Sequence, residues 1–170
     1  MYMKENMKAL FAEKVEDFRL PRYRELPNMG LYLEQVTKYI NGVLSPLGLP
    51  ELTSSMVSNY VKKGVIVAPV KKQYYAEQIA YLIFTGVSKS VLSLEHIRQL
   101  FAMQKAVYKP NIAYDYFCSE LESMLRFVSG LSETEEKIGT THSEEKTMLR
   151  SVIIAVTHVI FVSHCFRELE

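Results

Sequence analysis

The segment from Thr53 to Tyr75 carries four lysines and neither aspartate nor glutamate. It begins with three hydroxyl residues, whose oxygens can cap a helix, and the apolar residues that follow recur at helical spacing. Gly64 stands where a left-handed residue commonly ends a helix. The pattern therefore predicts a short helix over residues 54–63, with Tyr60 on its buried face.

A small β-structure is predicted directly after this helix. Residues 65–67 are β-branched, and beyond Pro69 residues 70–75 can return as a second strand. Successive side chains of a strand point to opposite faces. We therefore expect one of Tyr74 and Tyr75 to face solvent, and we predict that Tyr74 packs inward.

Helical periodicity continues on both sides of this segment, so the chain is predicted to be mainly α with a small β-hairpin. Residues 1–27 are predicted to form an N-terminal helix, over residues 5–18, and a proline-containing connector. Residues 28–109 hold the short helix and the hairpin between further helices. Residues 110–170 form a C-terminal helical module.

The C-terminal module has two amphipathic helices around an acidic segment, residues 131–148. Its most apolar run, Ser151–Phe166, contains two histidines and is short for a membrane span, so we interpret it as a buried helix and expect no membrane partner. The aromatic and methionine residues of the module can form a homodimer interface, a small-molecule effector pocket, both, or only the core of a monomer. These residues are Tyr114, Tyr116, Phe117, Met124, Phe127, Phe161 and Phe166.

Charge is divided unevenly along the chain, although the net charge is only +1. Residues 1–110 carry 15 basic and 9 acidic residues, and residues 111–170 carry 5 and 10. A basic front and an acidic back are typical of a DNA-contacting domain joined to a domain that does not contact DNA. Lys62 and Lys63 can equally complement the dipole of the helix that they end, whereas Lys71 and Lys72 have no such alternative role.

Catalytic and metal-binding patterns are weak in this sequence. Two cysteines without a disulfide framework, and an N-terminus without a signal peptide, favour the reducing cytoplasm. His158 and Cys165 share a helical face, but the close ligand pairs of a structural zinc site are missing, so we predict no metal and no cofactor. No catalytic triad, phosphate-binding loop or dinucleotide fingerprint occurs at a usable spacing, and we predict that the protein is not an enzyme.

The order helix, break, short helix, glycine, hairpin and two helices is that of a winged helix-turn-helix. The segment Met56–Val65 resembles the recognition helix of MerR-type regulators, in which a tyrosine-centred helix ends in a charged pair, a glycine and an aliphatic residue. Lys72-Gln73-Tyr74 resembles the Arg-x-Tyr of that family's wing, and Leu92–Arg98 resembles its Phe-Ser-Leu-x-x-Ile stretch. With Leu20–Pro27 and Val70–Tyr74 included, the chain is most similar, over about residues 20–105, to the bacterial family called domain of unknown function 1836, whose middle is MerR-like.

The resemblance implies a MerR-like winged helix-turn-helix protein that binds double-stranded DNA as a homodimer and regulates transcription. A short helix with a polar outer face can enter the major groove, and lysines neutralise phosphates. Ser58 stands where MerR proteins usually have an arginine that clamps the DNA backbone, and Lys72 stands where their wing has arginine. The candidate DNA-binding residues are Ser54, Ser55, Ser58, Asn59, Lys62, Lys63, Lys71, Lys72, Gln73 and Tyr74.

The alternative function belongs to another class. The same scaffold can be a protein-interaction or small-ligand-sensing module that has lost DNA binding. A basic surface that is continuous between the helix and the wing would favour DNA, and a dispersed one would favour this alternative.

Overall fold

The computed structural model of the chain describes residues 6–135 and 142–170. Residues 1–5 of the predicted N-terminal segment and residues 136–141 of the acidic segment therefore lie outside the described residues. Within those ranges the chain is mainly helical, as predicted, with one small antiparallel sheet. The helices are α1 (Met7–Val15), α2 (Leu33–Leu44), α3 (Ser54–Lys62), α4 (Ala76–Ser88), α5 (Leu94–Val107), α6 (Pro110–Val128) and α7 (Glu144–Leu169), and the strands are β1 (Leu31–Tyr32) and β2 (Gln73–Tyr74).

Helix α4 lies at the centre of the molecule and contacts α2, α6 and α7. Every residue from Gln78 to Ser88 is buried. The hydroxyls of Thr85 and Ser88 donate to carbonyl oxygens one turn earlier at 2.8 Å, which satisfies them without water. A side chain at Gly86 would approach Leu44 of α2 to 3.0 Å, so the glycine permits the close packing of these two helices.

One continuous apolar core takes buried side chains from all seven described helices. The rings of Phe11 in α1 and Phe161 in α7 lie 5.3 Å apart and join the two ends of the chain. The connector after α1 is held by Arg22, whose guanidinium donates to both carboxylate oxygens of Glu122 in α6, at 2.7 and 2.8 Å. The division of the chain at residues 27 and 109 stays a prediction.

The predicted hairpin over residues 65–75 is wrong in its first strand, and only Gln73–Tyr74 of the predicted second strand, residues 70–75, is a strand. Val65 and Ile66 are buried, and their backbone N–H groups donate to the carbonyl oxygen of Tyr60 at 2.9 and 3.3 Å, so they end α3 instead of joining a ladder. The partner of β2 is β1, which lies immediately before α2. Two residues carry no alternating pattern, and the sequence therefore gave no sign of β1.

The prediction of a buried C-terminal helix holds for one face only. Ile153, Val156 and Ile160 of α7 are buried, but Val162 and Phe166 are 49% and 64% exposed. Among the described residues, α7 is the one helix that is long and apolar enough to cross a membrane by length and composition. The mostly buried core helix of a soluble protein passes the same test, so a single helix of this kind is weak evidence for a membrane span.

Candidate nucleic-acid interface

Helix α3 begins as the hydroxyl-rich segment predicts. Thr53 is its N-cap, and the Thr53 hydroxyl accepts a hydrogen bond from the Met56 N–H at 3.1 Å. That bond satisfies one of the N–H groups that a helix start leaves without a partner. Val57 and Tyr60 are buried, so the prediction for Tyr60 is confirmed and the orientation of α3 on the core is set.

Gly64 ends α3 in the predicted left-handed conformation, with φ of 71°. Its N–H donates to the Val61 carbonyl at 3.0 Å, and the Val65 N–H donates to the Tyr60 carbonyl at 2.9 Å. These two bonds are those of a Schellman motif. The motif turns the chain back into the core directly after Lys63, so both lysines at the end of α3 stay exposed.

The outer face of α3 is polar. Ser55, Ser58, Asn59 and Lys62 are all exposed, and their spacing of three, four and seven residues from Ser55 places them on one side of the helix. Ser54 is only partly exposed. The nine residues of α3 therefore present a row of hydrogen-bonding groups that ends in positive charge.

The turn between α2 and α3 is held from two sides. The Asn41 side chain accepts from the Leu52 N–H at 2.8 Å and donates to the Leu52 carbonyl at 2.9 Å. From the far end of the chain, the Arg167 guanidinium donates to the Gly48 carbonyl at 3.1 Å. Helix α7 therefore helps to position α3, and no local sequence signal reveals a contact across 119 residues.

A tight turn presents the second pair of lysines. Val70 and Gln73 exchange backbone hydrogen bonds of 3.0 and 2.9 Å across Lys71 and Lys72. Both lysines have positive φ, 50° and 66°, as a two-residue type I′ turn requires. Both side chains are exposed. We call residues 70–73 the basic turn.

Non-glycine residues in the left-handed region cost roughly 1–2 kcal/mol each, so a type I′ turn favours asparagine and glycine. Lys71 and Lys72 occupy both positions despite this cost. Strain of this kind is concentrated at functional sites. The basic turn is therefore a candidate functional element in its backbone as well as in its charge.

The basic turn is attached to the core by neighbouring side chains. Tyr74 is 4% exposed and Tyr75 is 41% exposed, as the strand alternation predicts. Tyr74 therefore supports the turn from within the core, and its side chain is not exposed for the DNA contact that the resemblance implies. Gln78 of α4 donates to the carbonyls of Val67 and Ala68 at 3.1 and 2.9 Å and accepts from the Tyr75 N–H at 2.8 Å. This role of Gln78 was not predicted, because a single glutamine in the first turn of a helix carries no functional signal.

Among the described residues, the lysines of the candidate interface form no ion pair with a carboxylate. The ion pairs within residues 6–135 and 142–170 are formed by arginines, and none includes Lys62, Lys63, Lys71 or Lys72. The whole segment from α3 to the basic turn contains no acid. Its positive charge is therefore not neutralised by neighbours in sequence or by these ion pairs.

An exposed apolar set surrounds the basic turn and was not predicted. Tyr32 of β1 lies opposite Gln73 in the sheet, and Tyr75 donates its hydroxyl proton to the Gln73 side chain at 3.3 Å. The exposed side chains near the turn, which we call the apolar rim, are Met29, Tyr32, Val67, Val70 and Tyr75. Pairing of β1 with β2 brings Tyr32 beside the basic turn, and the periodicity of neither segment predicts this neighbourhood.

The cysteines and histidines do not come together in a metal site. Within the described residues there is no group of three or more histidine, cysteine, aspartate or glutamate side chains placed to hold a metal. Cys118 is fully buried, and burial raises the pKa of its thiol to about 12. A thiol with that pKa stays protonated at neutral pH and is a poor nucleophile.

Comparison with known proteins places the chain in one family. The family described as a domain of unknown function (DUF1836) matches residues 21–117, which is more than half of the chain. No curated protein and no solved structure matches the chain. The match begins in the connector after α1, includes α3 and the basic turn, and ends within α6. The chain therefore belongs to the DUF1836 family.

Proposed function

We propose that the protein is a DNA-binding transcriptional regulator, with α3 as the recognition helix and the basic turn as the wing of a MerR-like winged helix-turn-helix. The observation that carries the proposal is the acid-free segment in which both elements expose polar and basic side chains. DNA binding would place the protein in the bacterial cytoplasm.

The dimensions of α3 support this role. With its side chains an α-helix is about 10–12 Å in diameter, which fits the major groove of B-DNA, about 12 Å wide, and the nine residues of α3 extend about 13.5 Å along it. Ser58 and Asn59, on the outer face, can hydrogen-bond to base edges, and asparagine suits adenine in particular. Lys62, Lys71 and Lys72 can neutralise phosphates, which fixes register without reading sequence.

Sequence selection from random duplexes, followed by fluorescence anisotropy at two salt concentrations, tests this proposal. Asn59→Ala is expected to weaken discrimination at one base position, by roughly 1–3 kcal/mol for a lost bidentate contact. Asn111→Ala removes an equally exposed helical asparagine outside the proposed interface and is expected to have no effect. If no duplex binds at low salt, the proposal is wrong.

We also propose that the regulator is a homodimer joined through α7. Met148, Ala155, Val162 and Phe166 are exposed, and they follow one another at seven, seven and four residues, the spacing of a helix-pairing face. A two-fold axis would let two copies of α3 read half-sites about one helical turn apart.

Light scattering of the full chain tests the dimer. The expected mass is twice 19.6 kDa. Val162→Glu is expected to give the mass of one chain, because it places a charge in the paired face. Val107→Glu changes a similarly exposed valine at the end of α5 and serves as the control. A wild-type mass equal to one chain at working concentrations contradicts the proposal.

The apolar rim favours a second candidate, a protein-interaction module. Val67 and Val70, one before the basic turn and one at its first position, are both 59% exposed, and several large apolar side chains exposed in one region are typical of protein contacts. A photoreactive amino acid at position 67 or 70 distinguishes the two functions in bacterial cells. Cross-links to DNA support the regulator, cross-links to one protein support the module, and position 107 serves as the control.

A further inference from the structure

The structure contains an apolar cavity of about 150 Å³ between α4, α5, α6 and α7. Its walls are mostly aromatic, and we call it the aromatic cavity. Tyr81 and Phe84 come from α4, Phe101 comes from α5, and Phe117 comes from α6. The cavity therefore lies where α4, the helix that follows the basic turn, meets α7, the last helix of the chain.

The wall is a packed set of rings with specific geometry. The ring centroids of Tyr81 and Phe101 lie 4.5 Å apart, and those of Phe84 and Phe117 lie 5.0 Å apart, both edge to face. Such pairs are favourable beyond the area that they bury. The cavity is therefore bounded by side chains that support one another without an occupant.

The polar atoms that Tyr81, Gln104 and Tyr114 contribute to the wall already have protein partners. The Tyr81 hydroxyl donates to the Gln104 side chain at 2.8 Å, and the Gln104 amide donates to the Tyr108 carbonyl at 2.7 Å. The Tyr114 hydroxyl donates to the Pro21 carbonyl at 2.8 Å. An occupant would therefore meet carbon surface and would need few polar groups of its own.

The cavity reaches solvent at one end. Ile112, which lines it, is 56% exposed, and Glu145 and Lys146 at the start of α7 are partly exposed there. A small molecule can enter at this end without unfolding the core. In this respect the cavity differs from a closed packing defect.

We propose that the aromatic cavity is a binding site for a small, uncharged, apolar molecule of about the size of one benzene ring. An engineered cavity of the same volume in another protein, lined by apolar side chains, stays dry and binds benzene. A charged ligand is disfavoured in the aromatic interior, away from Glu145 and Lys146 at the mouth, because burying an ion there without a partner costs far more than apolar contact contributes. The site does not depend on the proposed DNA binding.

Fluorine NMR of the full chain with fluorobenzene tests the site. The fluorobenzene signal is expected to shift or broaden in a saturable way, and benzene is expected to reverse the change by competition. Benzoate is expected to compete at least about tenfold less well, because of its charge. A change that does not saturate, or equal competition by benzoate, overturns the proposal.

A pair of variants locates the ligand. Ala113→Leu fills the cavity from α6 and is expected to lower affinity by about tenfold or more. Ala102→Leu makes the same change at an exposed position of α5 outside the cavity and is expected to leave affinity unchanged. Folded Ala113→Leu protein with wild-type affinity overturns the location.

A measurement on the unaltered chain covers the case in which Ala113→Leu does not fold. Nuclear Overhauser effects are expected between benzene and the ring protons of Phe101 and Phe117. Benzene that binds without these contacts also contradicts the proposal. Because no step involves DNA, failure here and failure of the regulator proposal are separate results.

Discussion

The basic turn offers a test that separates its charge from its backbone conformation. Changing Lys71→Asn and Lys72→Gly together removes two positive charges and installs the residues that a type I′ turn prefers. The variant therefore keeps the turn while it removes the proposed phosphate contacts. A simple change of both lysines to alanine would mix the two effects.

The expected effect on stability follows from the φ angles. Lys72 has φ of 66°, and glycine adopts this left-handed conformation without strain, so the change stabilises the folded state by roughly 1–2 kcal/mol. The greater freedom of glycine in the unfolded chain offsets roughly 0.4–1 kcal/mol of this. We expect denaturant unfolding to show a free energy of unfolding that is unchanged or higher by about 1 kcal/mol. A variant destabilised by more than about 1 kcal/mol would refute the reasoning about the turn.

The expected effect on DNA binding follows from counterion release. Each neutralised phosphate contributes about 0.9 to the slope of log affinity against log salt, so the loss of two contacts reduces that slope by about 1.8. Anisotropy titrations at several salt concentrations measure it. Lys8→Gln with Lys109→Gln removes the same charge from exposed lysines outside the acid-free segment and is expected to change the slope little. If both double variants have the same slope, the basic turn does not contact DNA.

Three further predictions concern the elements that hold α3. Gly64→Ala is expected to destabilise the fold by about 1 kcal/mol in denaturant unfolding, from backbone strain alone, because the added carbon would meet no atom within 4 Å; an unchanged midpoint contradicts this. Asn41→Ala leaves the N–H and carbonyl groups of Leu52 without these partners and is expected to lower the free energy of unfolding by roughly 1–3 kcal/mol. A variant as stable as the wild-type protein in denaturant unfolding would contradict this. Burial lowers the pKa of His164 below 6.5, and its Nε2 is buried without a hydrogen-bond partner among the described residues, so the unfolded chain binds the proton more readily. The stability of the folded state is therefore expected to fall as pH decreases from 6.5 towards the lowered pKa. Thermal melts of His164→Leu at the same pH values should show a smaller loss of stability with falling pH, because the variant has no imidazole at this position.

Short-range chemistry made much of this protein predictable. A hydroxyl cap and a left-handed glycine act within a few residues, so the start of α3 at Ser54 and its end before Gly64 follow from local sequence. The alternation of Tyr74 and Tyr75 is equally local, since it depends only on strand geometry. The mainly helical class followed from periodicity in the same way.

Errors arose where distant residues decide the outcome. Residues 65–67 have strand propensity, but burial of Val65 and Ile66 in the core outweighs it. Helix α7 has apolar residues around much of its surface, and only packing against the core determines which of them are covered.

The sequence by itself determined the helices, the limits of α3, the acid-free segment and the family to which the chain belongs. Tertiary structure alone decided the pairing of β1 with β2, the link from Arg167 to Gly48 and the aromatic cavity. The physical reason is range. Caps, turns and side-chain periodicity are settled within one or two helical turns, whereas pairing, burial and cavities depend on which distant surfaces meet when the core closes.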